Sequence, residues 1–146
     1  MSSSVSSETL HASCVAKDGR AILISGRSGT GKSDLALRLI DRGADLVSDD
    51  YTIVRRVGGK LVASAPPNIR NKLEIRGLGI LQFHSETDVP VCLAVELESE
   101  VERLPETPEF RIVAGVQVPV IRLNSLEASA PVKVEVGLAQ FGLDPE

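Results

Sequence analysis

Eight consecutive residues, Gly26-Arg27-Ser28-Gly29-Thr30-Gly31-Lys32-Ser33, limit what this chain can become more than any other stretch. They match G-x-x-x-x-G-K-[ST] in full, after an apolar run at Ala21–Ser25 and before residues with a helical period. A strand, a glycine loop and a helix in that order form a phosphate cradle. The glycines let backbone N–H groups turn inward around an anion without Cβ clashes. The helix N-terminus adds partial positive charge. Lys32 reaches the outer phosphates of a nucleotide, and the Ser33 hydroxyl coordinates Mg²⁺ beside them. Gly26, Ser28, Gly29, Thr30, Gly31, Lys32 and Ser33 are therefore the candidate nucleotide-binding residues.

The surrounding periodicities predict a mixed α/β chain. Leu10, Ala12, Cys14 and Ala16 alternate with His11, Ser13 and Val15 and read as one strand. Asp18-Gly19 is a two-residue hairpin signal, and with it at the centre paired residues sum to 37, so that Cys14 opposes Leu23 and His11 opposes Gly26. Leu35, Ala36, Leu39 and Ile40 form one helical stripe that Gly43 closes. Asp45–Ser48 reads as a short strand, and Tyr51–Val57 with Lys60–Ser64 as a hairpin across Gly58-Gly59. Ile69–Ile75 is open between a short helix and a strand. Val89–Leu97 is a strand, and Phe110–Val113 with Val116–Leu123 a hairpin across Ala114-Gly115. Pro131–Phe141 is read as a helix, with Pro131 in its first turn. Parallel strands are expected near the glycine loop, with hairpins around them. Residues 1–8 are expected to be disordered, 9–142 to form a single domain, and 143–146 to be a tail.

Charge and composition exclude several classes. The net charge of −4 argues against an electrostatic grip on nucleic acid, and four scattered aromatic residues make no base-stacking platform. No apolar run approaches a bilayer span, which predicts no membrane association. Two cysteines inside apolar runs suit a reducing, cytoplasmic compartment.

Carboxylates supply the remaining chemistry. Asp49-Asp50 follow a short strand and should lie near the phosphates, because ligands of open α/β sheets bind beyond the carboxyl ends of strands. Neighbours on a strand point to opposite faces, so one of the two addresses the nucleotide directly. Its role is either a water-mediated magnesium contact or general base toward an acceptor hydroxyl, the alternative for the pair being a solvated turn, which aspartate favours. His11, across from the first loop glycine, either tunes a neighbouring acid or is a strand-end histidine satisfied by backbone or water. Glu74 and Arg76 share a face of an extended segment. They are either an exposed ion pair or a metal-and-phosphate pair.

The phosphate loop, the following LIDRGADLVSDD and above all LEIRGLGI resemble the catalytic domain of bacterial HPr kinase/phosphorylase, from about Leu10 to Ile80. The resemblance implies a P-loop kinase fold of the phosphoenolpyruvate-carboxykinase-like type, a mixed sheet with hairpins around a central strand–loop–helix. It implies an ATP- and Mg²⁺-dependent serine kinase for HPr, the small phosphocarrier of the sugar phosphotransferase system. Lys32 matches the family's phosphate-binding lysine and Ser33 its magnesium serine. Asp50, or Asp49, matches the acid that draws the proton. Glu74 matches a metal-binding acid, which with Ser33 and Asp49 completes the expected metal set. His11 matches a histidine upstream of the loop. Family members are typically hexamers, and a homo-oligomer is the corresponding expectation.

Three features depart from the family pattern. The sequence opens just ahead of the catalytic domain, as in a short form without the family's N-terminal domain. Leu81-Gln82-Phe83-His84 replaces a longer insert, and Val118–Ser125 stands where the family carries a basic loop tied to the phosphorylase reaction. Arg122 is the one partial substitute in that stretch. The rival readings are a non-catalytic nucleotide-binding sensor and a small-molecule kinase.

Overall fold

The Asp18-Gly19 turn, with φ of 52° and 74°, folds β2 (Ala12–Lys17) onto β3 (Arg20–Ser25). Pairs run from Lys17↔Arg20 through Cys14↔Leu23 to Ala12↔Ser25, the register expected from a two-residue turn. The structure is a computed structural model that describes residues 6–146.

Among the described residues, nine strands form one mixed sheet and two more a separate ribbon. β3 leads through the phosphate loop into α1 (Lys32–Asp41), which ends at Arg42 with Gly43 at φ 107°. β4 (Asp45–Ser48) then pairs antiparallel with β2. β5 (Thr52–Val57) and β6 (Lys60–Ser64) form a hairpin. A turn of 3₁₀ helix at Pro67–Ile69 precedes β7 (Lys72–Ile75) and β8 (Gly79–Gln82), which pair only with each other. The ambiguous Ile69–Ile75 segment is thus a strand from Lys72 onward.

β9 (Val89–Leu97) lies beside β3 and runs parallel to it. β10 (Glu109–Val113) and β11 (Val116–Leu123) form the last hairpin, with β11 parallel to β9. α2 (Ala130–Phe141) closes the fold. The strand expected from Leu10 onward is in fact two. β1 (Ser7–Leu10) pairs with β5, and the chain bends at His11 before β2 joins β3. Order therefore begins inside the stretch expected to be disordered; residues 1–5 lie outside the described residues.

Parallel pairing runs through β3, β9 and β11, but β2 stands between β3 and β4 and is antiparallel to both. β3 and β4 therefore end at the same edge of the sheet, where β2 begins. That edge receives the phosphate loop, the Asp49-Asp50 pair and the His11–Ser13 segment from three adjacent strands.

Alternation along the central strands builds two cores. Ile22 and Ile24 of β3, with Leu93 and Val95 of β9, pack under Leu35 and Leu39 of α1 and Val134 and Leu138 of α2. Leu23, Val54 and Leu61 fill the opposite face beneath the hairpins. Leu93 is fully buried in a central strand. Leu93→Ala is expected to destabilise the fold by about 2–5 kcal/mol in denaturant titration.

The last residues are not a free tail: Leu143 N donates to the Cys92 carbonyl (2.9 Å), and Lys60 Nζ to that of Pro145. The two helices are joined by Arg42, which donates to Glu135 at 2.8 and 3.0 Å. That contact holds the Glu135 carboxyl below its usual range. A depressed carboxylate contributes stability above its unfolded pKa and loses it as pH falls through the folded one. Glu135→Gln is expected to melt slightly below wild type at neutral pH. The gap should close in calorimetric scans below about pH 4. Among the described residues, no helix is long and apolar enough to cross a membrane.

Candidate active site

The glycine loop is shaped by close approach as much as by rotation. A Cβ on Gly26 would sit 2.6 Å from Thr30 Oγ1 and 3.1 Å from Leu97 Cβ. A Cβ on Gly31, which caps α1 at φ 91°, would sit 2.7 Å from Ser125 Oγ. Gly29 has φ 84° in open space, and Ser28 beside it is exposed. Thr30 ties the loop to itself, its N and Oγ1 donating to the Arg27 carbonyl at 3.1 and 2.6 Å. Ser125 donates to the Thr30 carbonyl from outside. Gly31→Ala is expected to cost about 1–3 kcal/mol of stability by denaturant titration, because it combines a left-handed residue with a clash. It should also abolish calorimetric ATP binding.

Lys32 is nearly buried, and its ammonium donates to the carbonyls of Gly26 (2.9 Å) and Arg27 (3.2 Å). An ammonium has three donors, so one remains for an anion in the loop. Ser33 Oγ donates to Asp49 Oδ1 at 2.6 Å, a short charge-assisted bond. Asp49 is buried at the end of β4. Its Oδ1 also accepts from Ser13 Oγ (3.0 Å), and its Oδ2 accepts from the Glu74 backbone N (3.0 Å).

Asp50 points elsewhere. Tyr51 N donates to the Asp49 carbonyl at 2.7 Å, closing a three-residue turn with Asp50 at its centre and φ 68°. Such γ-turns are rare and strained. Strain of this kind collects at functional sites. The turn sends the Asp50 carboxylate to His11, whose Nε2 lies 2.9 Å from Oδ1. The His11 ring stacks on Tyr51, with centroids 5.0 Å apart and planes 22° apart. His11 and Asp50 are both well exposed.

A cavity of about 960 Å³ opens beside the loop. Residues 25–30, Leu10 and His11 line one side, and residues 96–100 with Arg111 line the other. Arg111 is bound to Glu96 at 2.8 Å. Arg122 donates to both Glu98 and Glu109. Its charge is already matched by two carboxylates, so the partial substitute expected from the sequence is not a free cation.

The sequence-predicted residues thus gather in two contiguous groups. Lys32, Ser33 and Asp49 adjoin the loop, and His11 with Asp50 stands next to them. Glu74 reaches Asp49 through its backbone amide, while its side chain is exposed. Among the described residues no three His, Cys, Asp or Glu side chains cluster as a metal cage. The donor set still suits Mg²⁺, which keeps several waters and takes one or two carboxylates plus phosphate oxygens. The Ser33 hydroxyl and the Asp49 carboxylate are hard-oxygen groups that could hold such an ion.

Ser13, Tyr51 and Ser125 were not among the predicted site residues. Ser13 had a signal: a serine inside a buried strand must find a partner. Ser125 had none, because its contact spans 95 residues of sequence.

Residues 3–134 match the family described as HPr Serine kinase C-terminal domain. HPr kinase/phosphorylase of Chlorobium limicola is 39% identical over 127 residues, covering 77% of this chain and 38% of the relative. That of Caldicellulosiruptor bescii is 37% identical over 126 residues, covering 77% and 40%. The chain spans about two-fifths of the length of these curated relatives. The Hpr(Ser) kinase/phosphatase of Coxiella burnetii superimposes with a TM-score of 0.78 at 28% identity, over 90% of this chain and 94% of that one. By sequence over most of its length, and by the shape of the sheet that carries the phosphate loop, the chain belongs to the HPr serine kinase C-terminal domain family.

Proposed function

We propose that the chain is an ATP- and Mg²⁺-dependent serine kinase acting on an HPr-type phosphocarrier. The observation that carries this reading is the joining of a complete phosphate loop to a divided acid pair, with Asp49 on the loop serine and Asp50 on His11 at the exposed rim. The substrate is taken from the names of the family and of the relatives.

The chemistry follows from those positions. The loop amides and Lys32 hold the polyphosphate. Ser33 and Asp49 would hold Mg²⁺, which offsets charge on the phosphate oxygens. His11, fixed by its stack on Tyr51, occupies Asp50 Oδ1 and leaves Oδ2 for the acceptor. The seryl oxygen attacks the γ-phosphorus as its proton passes to Asp50, and the bond to the ADP oxygen breaks. Most of the acceleration is positioning and electrostatics. With Arg122 held by two glutamates, the proposal is confined to the kinase direction.

The test is incubation with γ-labelled ATP and purified HPr. Phosphoserine on HPr, lost on chelating the metal, is the expected result. Calorimetric binding of ATP without label on HPr would overturn the kinase reading in favour of a nucleotide-binding module.

A further inference from the structure

Ser13 is a fully buried hydroxyl, the second residue of β2. It makes two bonds, and both go to the acid pair. Its Oγ donates to Asp49 Oδ1 and accepts from the backbone N of Asp50, each at 3.0 Å. These two contacts fall on the first and the central residue of the strained turn. One orients the carboxylate that also receives the Ser33 hydroxyl. The other satisfies the amide of the residue held at φ 68°.

The sheet delivers both acids to this hydroxyl. β4 carries one extra residue opposite β2: Cys14 pairs with Ser48 but Val15 pairs with Leu46. A bulge bends its strand and re-aims side chains. Here it lies just before Asp49. The neighbouring polar side chains hold the same segment from either side. Thr52 Oγ1 donates to the Ala12 carbonyl at 2.8 Å, and Ser48 Oγ donates to the Tyr51 carbonyl. Among the described residues, Ser13 is the side chain that bonds to both acids.

We propose that Ser13 is a positioning residue. Its hydroxyl clasps the Asp49–Asp50 turn, so that Asp49 stays on the magnesium-binding serine while Asp50 is sent to His11. This rests on the reading of Ser33 and Asp49 as metal-holding groups. Asp49 has three donors, and losing the one from Ser13 frees its carboxylate to rotate away from Ser33. Groups that orient a metal ligand typically change metal affinity or activity by about 10–100-fold when removed.

The test compares Ser13→Ala and Ser13→Thr with wild type by ATP calorimetry in magnesium and in EDTA, alongside HPr phosphorylation. In Ser13→Ala the magnesium-dependent gain in ATP affinity is expected to shrink by about tenfold or more, with affinity in EDTA unchanged. The kcat should fall by about 10–100-fold with little change in KM for ATP. Ser13→Thr, which keeps the hydroxyl on a β-strand, should restore both. Equal loss of affinity with and without magnesium overturns the proposal and makes Ser13 merely structural, as does a loss that follows only a lowered Tm. If Ser13→Thr fails to restore while melting like wild type, the hydroxyl is not the active feature. The magnesium comparison needs no turnover. A wild type that binds Mg-ATP but does not phosphorylate HPr therefore refutes the kinase reading alone, whereas one whose ATP affinity ignores magnesium refutes both.

Discussion

An Asp50→Asn variant is expected to bind ATP as the wild type does and to transfer phosphoryl groups about 10²–10⁴-fold more slowly, the range for losing a general base. The two effects separate because the two acids do. Asp49 carries the contacts to Ser33, Ser13 and Glu74 N, whereas Asp50 contacts His11 through its carboxylate and Ser13 only through its backbone amide. Asparagine keeps that amide and the side-chain shape, and tolerates positive φ better than most residues. The expected loss is therefore proton acceptance, not the turn. Single-turnover phosphorylation of HPr beside ATP calorimetry measures both quantities. Full activity in this variant would move the base role to Asp49.

Lys32→Ala is the second large effect. Loss of a preorganised cation at the transferring phosphoryl is expected to lower kcat by about 10²–10³-fold and to weaken ATP binding as well. The fold should survive, because the Lys32 ammonium bonds only to loop carbonyls, and the Arg27 carbonyl keeps Thr30 as donor. Lys32→Arg is not expected to rescue. The loop is closed so tightly around Gly26, where a Cβ would already meet Thr30 and Leu97, that a planar fork cannot take the place of a compact ammonium. Steady-state kinetics of both variants, with circular dichroism to report folding, check the expectation.

Both experiments depend on features that were unequally legible in the sequence. Turns were legible because their chemistry is local. Asp18-Gly19, Gly43 and Gly115 all occupy the positive-φ positions that their residue types predict. The phosphate loop was legible for the same reason. The break at His11 was not, because the alternation from Leu10 to Ala16 continues across it. Only long-range pairing of β1 with β5 and of β2 with β3 shows that the chain changes partners there. The placement of β2 between β3 and β4 is likewise a non-local choice. It determines that His11 and Ser13 lie beside the acids as well as beside the loop. Adjacent aspartates were expected to face opposite ways as strand neighbours, and they do diverge. The cause is a γ-turn after the strand has ended, which no periodicity reveals.

The spacing between the phosphate loop and the acids is consequently a fixed dimension of this chain. β4 is anchored on β2, while β5 is anchored separately on β1 and β6. Neither strand can slide to absorb a length change in the single residue that links Asp49 to Tyr51. A deletion there would remove Asp50 and leave the imidazole of His11 without its carboxylate. A change of length at this junction therefore breaks the site, whereas a side-chain exchange there leaves the backbone path between the two strands intact.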